Sequence, residues 1–258
     1  MPPDIHTLTS GTGNEQITLL HGWGFNGAIW EETARTLANK ASVNCIDLPG
    51  HGKSPMPIGD YNIETLADTI AAALPEQGNV IGWSLGGMIA MQIALRHPTK
   101  IKKLILVGSI ARFVQDNDWR YAVSPEILKD FSASLNNDLQ GTLQHFIALQ
   151  IMGSDESRII LRKLKALMNS NEAPQPAALQ GGLKILQEVD LRDQLPQLKQ
   201  PTLMIFGKRD TLARPQTAKQ MLPLLPNATL EIIDGAGHAP FLSHNEYFTN
   251  LIEQFIHE

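Results

Sequence analysis

Residues 79–95, NVIGWSLGGMIAMQIAL, change character half-way along. The first five form an apolar run of strand length, the last eight carry apolar residues at helical spacing, and Ser84 stands between them with a glycine two positions away on either side. Each glycine costs roughly 1 kcal/mol wherever it falls inside a helix, so the pattern needs a reason. A strand that turns sharply into a helix supplies it. Gly82 and Gly86 let the two elements pack closely, and the first turn of the helix presents free N–H groups and a partial positive field beside the serine. G-x-S-x-G in this setting places Ser84 on a strained turn at a sheet edge, where a nucleophile that passes through an oxyanion belongs.

Outward from that stretch, strand-like runs recur at residues 16–20 (QITLL), 42–47 (SVNCID), 102–108 (KKLILVG), 201–206 (PTLMIF) and 228–234 (ATLEIID), mostly separated by amphipathic helical segments. The alternation predicts an α/β fold with a mostly parallel sheet flanked by helices. Residues 113–189 break the pattern with four helical segments and no strand, for which Ser124, Asp138 and Ser154 are expected caps. The sheet domain is therefore expected over 1–112 and 190–258, with 113–189 as an inserted helical cap. Ligands of open parallel sheets bind beyond the carboxyl ends of the strands, so such a block would enclose a pocket there; a purely structural helical subdomain is the alternative.

A serine hydroxyl needs a base, and the base an orienting carboxylate. Among the histidines after Ser84, His238 lies in a glycine-rich loop (DGAGHAP) directly after the last strand-like run, whereas His97, His244 and His257 fall at or in helices and His145 within the helical block. Asp210 ends PTLMIFGKRD just past a strand and faces the same edge; Asp234, four residues before His238, suits an Asx turn better. The order serine, acid, histidine is the one this arrangement requires. For the oxyanion, the Leu85 N–H follows the nucleophile, and the HGWG loop at 21–24 offers the Trp23 N–H as second donor, its indole lining the acyl pocket.

Two phosphate-binding patterns compete and are weaker. GWGFNG (22–27) satisfies G-x-G-x-x-G with Asp47 about 20 residues on, but Trp23 crowds the glycines and the triad goes unexplained. PGHGKS (49–54) has Asp47 where a P-loop needs glycine. No zinc or calcium motif is present, so no metal is expected. The single cysteine, Cys45, reads as a buried strand thiol and excludes an intrachain disulfide. The net charge of −5 argues against nucleic acid, no apolar run reaches membrane-spanning length, and the N-terminus lacks a signal-like segment, so a cytoplasmic location is expected.

Taken in order, HGWG, DLPGHGKS, GWSLGG, GKRD and GHAPF resemble the α/β-hydrolases over nearly the whole length. With FIALQIMG, GGLKIL and GHAPFLSH added, the chain is most similar to the carboxylesterases of biotin synthesis that act on pimeloyl-[acyl-carrier protein] methyl ester. That resemblance implies a cytoplasmic monomer without cofactor, acting on a chain held by acyl-carrier protein. It implies Ser84, Asp210 and His238 as triad and substrate contacts at Trp23, Ser84, Leu85, Phe146, Ile147, Ala148, Leu149, Gln150 and His238. Arg158, Arg162 and Lys165 share one helix face and could steer an acidic carrier protein, or form an ordinary solvated face. Gly141 and His145 stand where relatives tend to carry arginine. Lactonases, thioesterases and general esterases share the same triad, and a non-catalytic binding domain is the remaining alternative.

Overall fold

The computed structural model describes residues 4–152, 154–155, 157–170 and 173–258. A seven-stranded sheet comprises β1 (Thr7–Ser10), β2 (Glu15–Leu20), β3 (Ala41–Ile46), β4 (Gly78–Trp83), β5 (Ile101–Val107), β6 (Thr202–Gly207) and β7 (Ala228–Ile233), in the order β1-β3-β2-β4-β5-β6-β7. All neighbouring strands are parallel except β1, which pairs antiparallel with β3. The six parallel strands are those read from the sequence. The edge strand β1 was not, because TLTS is four residues long, half exposed and without an apolar run.

Every residue of β4 and β6 is buried, as expected for strands covered on both faces. Alternate residues feed two cores. Leu20, Ile46, Val80, Leu106 and Met204 join α2 (Ile63–Ala73) and α3 (Leu85–Arg96) on one face; Leu19, Cys45, Ile81, Ile105 and Ile205 join α1 (Glu31–Leu37) on the other. Burial pushes the Cys45 thiol up to about 12, which keeps it protonated and inert.

Four helices lie between β5 and β6: α4 (Pro125–Asn137), α5 (Leu139–Ile151), α6 (Ser157–Ser170) and α7 (Pro176–Glu188). Ser124 caps α4 by accepting from Ile127 N–H, and Asp138 caps α5 by accepting from Gly141 N–H at 2.9 Å. Ser154 does not directly precede α6, which begins at Ser157; of the two residues between them, Glu156 lies outside the described residues. The remaining helices are α8 (Pro215–Met221), α9 (Pro240–Ser243) and α10 (Asn245–His257), the last two packing on the α1 face.

The helical block is tied to the sheet domain at several points. Trp23 Nε1–H donates to Leu179 O at 2.8 Å, Gln175 N–H donates to Gly50 O at 2.8 Å, and Lys163 pairs with Glu32 at 2.8 Å. Its two crossings are joined by Arg112–Asp190 and Arg192–Asp118, each at 2.8 Å. Among the described residues no helix is long and apolar enough to cross a membrane.

Candidate active site

Strand β2 has β3 on one side and β4 on the other, so chain direction across the sheet reverses between β2 and β4. Loops leaving neighbouring strands at such a point diverge and open a crevice. The loop after β2 begins with His21-Gly22-Trp23, and the turn after β4 is Ser84.

Ser84 adopts φ 53° and ψ −118°, in a region where a side chain costs about 1–3 kcal/mol. Four hydrogen bonds hold it. Its N–H donates to Val107 O at 3.0 Å, and its carbonyl accepts from Gly87 N–H at 3.0 Å, Met88 N–H at 3.2 Å and the Ser109 hydroxyl at 2.8 Å. The flanking glycines are required by contact: a Cβ on Gly82 would lie 2.5 Å from Gly86 O, and one on Gly86 would lie 2.5 Å from the carbonyl oxygens of Leu20 and His21. The Leu85 N–H opens α3 and the Trp23 N–H lies in the loop after β2; among the described residues no hydrogen bond takes up either.

His238 and Asp210 form a buried pair. The Asp210 and His238 side chains are both within 1% of full burial, and His238 Nδ1 lies 2.7 Å from Asp210 Oδ2. A carboxylate only accepts, so Nδ1 carries the proton and Nε2 presents its lone pair. Asp210 Oδ1 accepts from the N–H groups of Leu212 and Ala213 at 2.8 and 2.9 Å, fixing the carboxylate plane. His238 Nε2 is buried and has no hydrogen-bond partner among the described residues. The His238 carbonyl accepts from Trp83 Nε1–H at 2.9 Å, and a Cβ on Gly108, which has φ 48°, would lie 3.0 Å from His238 Nδ1. Because Ser84 N–H is bonded to Val107 and His238 borders Gly108, serine and histidine flank the same end of β5.

The loop after β2 is stiffened from below. His21 Nδ1–H donates to Gly22 O at 2.8 Å and its Nε2 accepts from Leu48 N–H at 2.8 Å. Burial pushes the His21 imidazole down to about 4 and that of His51, whose ring centroid is 5.2 Å away, down to about 3. Neither motif for phosphate fits. Asp47 turns its carboxylate into the loop, accepting from Gly27 N–H at 2.7 Å and Lys53 N–H at 3.0 Å, so it fills the space a pyrophosphate would need.

The sequence-predicted residues divide into those the fold brings together and those it does not. Trp23 is buried with its ring centroid 4.8 Å from that of Phe146 and 5.4 Å from that of Phe131. Phe146, Ile147 and Gln150 face inward from α5, and Gln150 O accepts from His238 N–H at 3.1 Å. Ala148 is exposed on the outer side, and Leu149 lines a surface groove of about 590 Å³ between α4 and α5 together with Gly141 and His145. One helix cannot turn five consecutive residues to one side, so Ala148 and Leu149 face differently from Phe146, Ile147 and Gln150. Arg158, Arg162 and Lys165 are exposed on α6 with no ion-pair partner among the described residues. Asp234 pairs with Lys208 at 2.7 Å in place of the expected Asx turn, and His97 closes α3 with Nε2 2.6 Å from Asp68. Sequence reasoning missed Gly108, Ser109 and His21; only His21, ahead of the glycines of its loop, left any signal.

A family model described as the alpha/beta hydrolase fold matches residues 17–245. The chain belongs to the α/β-hydrolase fold family. This α/β-hydrolase is 41% identical over 245 residues to the "Pimeloyl-[acyl-carrier protein] methyl ester esterase" of Aeromonas hydrophila subsp. hydrophila, covering 93% of this chain and 94% of that protein. The protein of the same name from Photobacterium profundum is 39% identical, with 96% of each chain covered. Among solved structures, an esterase from Exiguobacterium antarcticum superimposes with a TM-score of 0.90 at 24% identity, over 98% of this chain and 96% of that one; at that identity the likeness speaks for the fold.

Proposed function

We propose that this α/β-hydrolase is a serine carboxylesterase that hydrolyses the methyl ester of a pimeloyl chain carried on acyl-carrier protein, releasing methanol and pimeloyl-[acyl-carrier protein] for biotin synthesis. The reaction class rests on the buried His238–Asp210 pair at 2.7 Å beside a strained Ser84. The substrate follows from the relatives at 35–41% identity over nearly the full chain, whose shared name specifies that ester.

In this reading Ser84 Oγ attacks the ester carbonyl while His238 Nε2 takes its proton, and Asp210 holds the imidazole through Nδ1–H and stabilises the imidazolium. The Trp23 and Leu85 N–H groups receive the oxyanion; each such donor is worth about 3 kcal/mol to the transition state. His238 then protonates the departing methoxide and activates the water that frees Ser84. The four-helix block acts as a cap, with Trp23, Phe131 and Phe146 as an apolar wall for the acyl chain. Unpaired Arg158, Arg162 and Lys165 on α6 meet the acidic carrier. In this reading the protein acts as a cytoplasmic monomer.

The test is mass spectrometry of methyl pimeloyl carrier protein after incubation with wild type and Ser84→Ala. Loss of one CH2 from the carrier is expected with wild type alone, and turnover should fall by about 10⁴ to 10⁶ in the variant. Release of the whole acyl chain would make the protein a thioesterase; a loss below about tenfold would remove Ser84 from the mechanism.

A further inference from the structure

The C-terminal end of α5 and Asp155, in the stretch between α5 and α6, contact the loop that carries His238. His238 N–H donates to Gln150 O at 3.1 Å, Asp155 N–H donates to Gly235 O at 2.9 Å, and Arg209 Nη1 donates to Asp155 Oδ1 at 2.6 Å. Arg209 precedes Asp210 and is itself fixed by its N–H to Ala236 O at 2.9 Å. One stretch of the helical block is thus bonded to the loop bearing the base and to the loop bearing the acid. Glycines make the approach possible: a Cβ on Gly237 would lie 3.1 Å from Gln150 O, and one on Gly235 would collide with Asp155 Oδ2.

We propose that Asp155 and Arg209 are positioning residues, whose ion pair clamps the α5–α6 segment across the His238 and Asp210 loops and so fixes the aim of His238 Nε2. The proposal rests on His238 being the base. Backbone bonds through Gln150 O and Asp155 N–H join the helical block to the His238 loop, and the Asp155–Arg209 pair adds a third anchor from a different strand end. The two side chains are 59% and 49% exposed, so the pair contributes little to global stability. Catalysis is more sensitive, because a small displacement of the base from its line of proton transfer lowers the rate while leaving binding intact.

Kinetics with a small soluble ester, 4-nitrophenyl butyrate, test this in Asp155→Ala, Arg209→Ala, the double variant, Arg209→Lys and the charge exchange Asp155→Arg with Arg209→Asp. Each alanine variant should lower kcat by about 3- to 10-fold with KM within about twofold of wild type. The double variant should be no worse than either single, since both remove one clamp. Arg209→Lys and the exchange should recover at least about half of the lost rate, a recovery that mere surface packing would not give. Melting temperatures within about 2 °C of wild type would show that the loss is not unfolding. Unchanged kcat in the alanine variants, multiplicative losses in the double, or no recovery in the exchange would overturn the proposal while Ser84→Ala stays inactive. Undiminished cleavage by Ser84→Ala would overturn the catalytic reading, and this proposal with it.

Discussion

Asp210→Asn is a substitution whose consequence the geometry dictates atom by atom. Asp210 Oδ1 accepts from two backbone N–H groups, Leu212 at 2.8 Å and Ala213 at 2.9 Å, and Oδ2 meets His238 Nδ1 at 2.7 Å. An asparagine has one acceptor and one donor end. Turning the NH2 toward Leu212 and Ala213 would set it against two donors in a buried site, so the oxygen must stay there and the NH2 must face His238. His238 can then satisfy it only by presenting a bare Nδ1, which moves the ring proton to Nε2 and blocks the position that has to take the serine proton. The side chain keeps its volume and its backbone bonds, so the fold is retained while the tautomer is inverted. A loss of about 10⁴ in kcat is expected, equivalent to about 5 kcal/mol at the transition state. Steady-state hydrolysis of a soluble ester measures the rate, and nitrogen-15 NMR of labelled histidine reads which ring nitrogen carries the proton. A variant within tenfold of wild-type kcat, or one whose His238 keeps its proton on Nδ1, would refute the reasoning about how the carboxylate is held.

Acid stability follows from the buried imidazoles. Burial holds His21 at about 4 and His51 at about 3, below the usual 6.5, so the unfolded chain binds their protons first; their contribution to stability is complete above pH 6.5 and is lost as pH falls toward 4. With both groups titrating only when unfolded, the slope approaches ~3 kcal/mol per pH unit, and urea unfolding at pH 7, 6 and 5 should show it; a flat profile would contradict neutral burial. Gly86→Ala should destabilise by ~3 kcal/mol, because its Cβ would sit 2.5 Å from two backbone oxygens at the end of β2 that cannot move without opening the sheet. A cost under about 1 kcal/mol in urea would mean that α3 slides freely over that strand end.

The sequence displays some parts of this molecule and hides others for physical reasons. The six parallel strands were legible because burial on both faces leaves an unbroken apolar run, as in β4 and β6. Ser84, Asp210 and His238 were legible because each stands just past such a run, where the chain must turn at one edge of the sheet. Strand β1 carries no such signature, since its pairing partner β3 supplies the order that its own four residues lack. Gly108 looks like the end of any strand; its positive φ and the close approach of His238, 130 positions away in sequence, arise only in the folded chain. Resemblance carried five consecutive residues of α5 into the site, and helical geometry returned Ala148 to the surface.

The candidate site departs from what stability alone would select. Ser84 sits in a conformation that costs about 1–3 kcal/mol, and His238 Nε2 is a buried nitrogen without a partner among the described residues, which costs a similar amount. In the proposed reaction both features gain a use, because the strained Ser84 stands next to the Leu85 N–H and the bare nitrogen would have a proton to accept. The bonds that hold the strain in place, Ser84 N–H to Val107 and the Ser109 hydroxyl to Ser84 O, come from β5 and the turn that follows it, which His238 also abuts at Gly108. A single strand end therefore sets the positions of Ser84 and His238 together, and a disturbance there should misplace both at once, where a change in the Asp210 loop would disturb His238 alone.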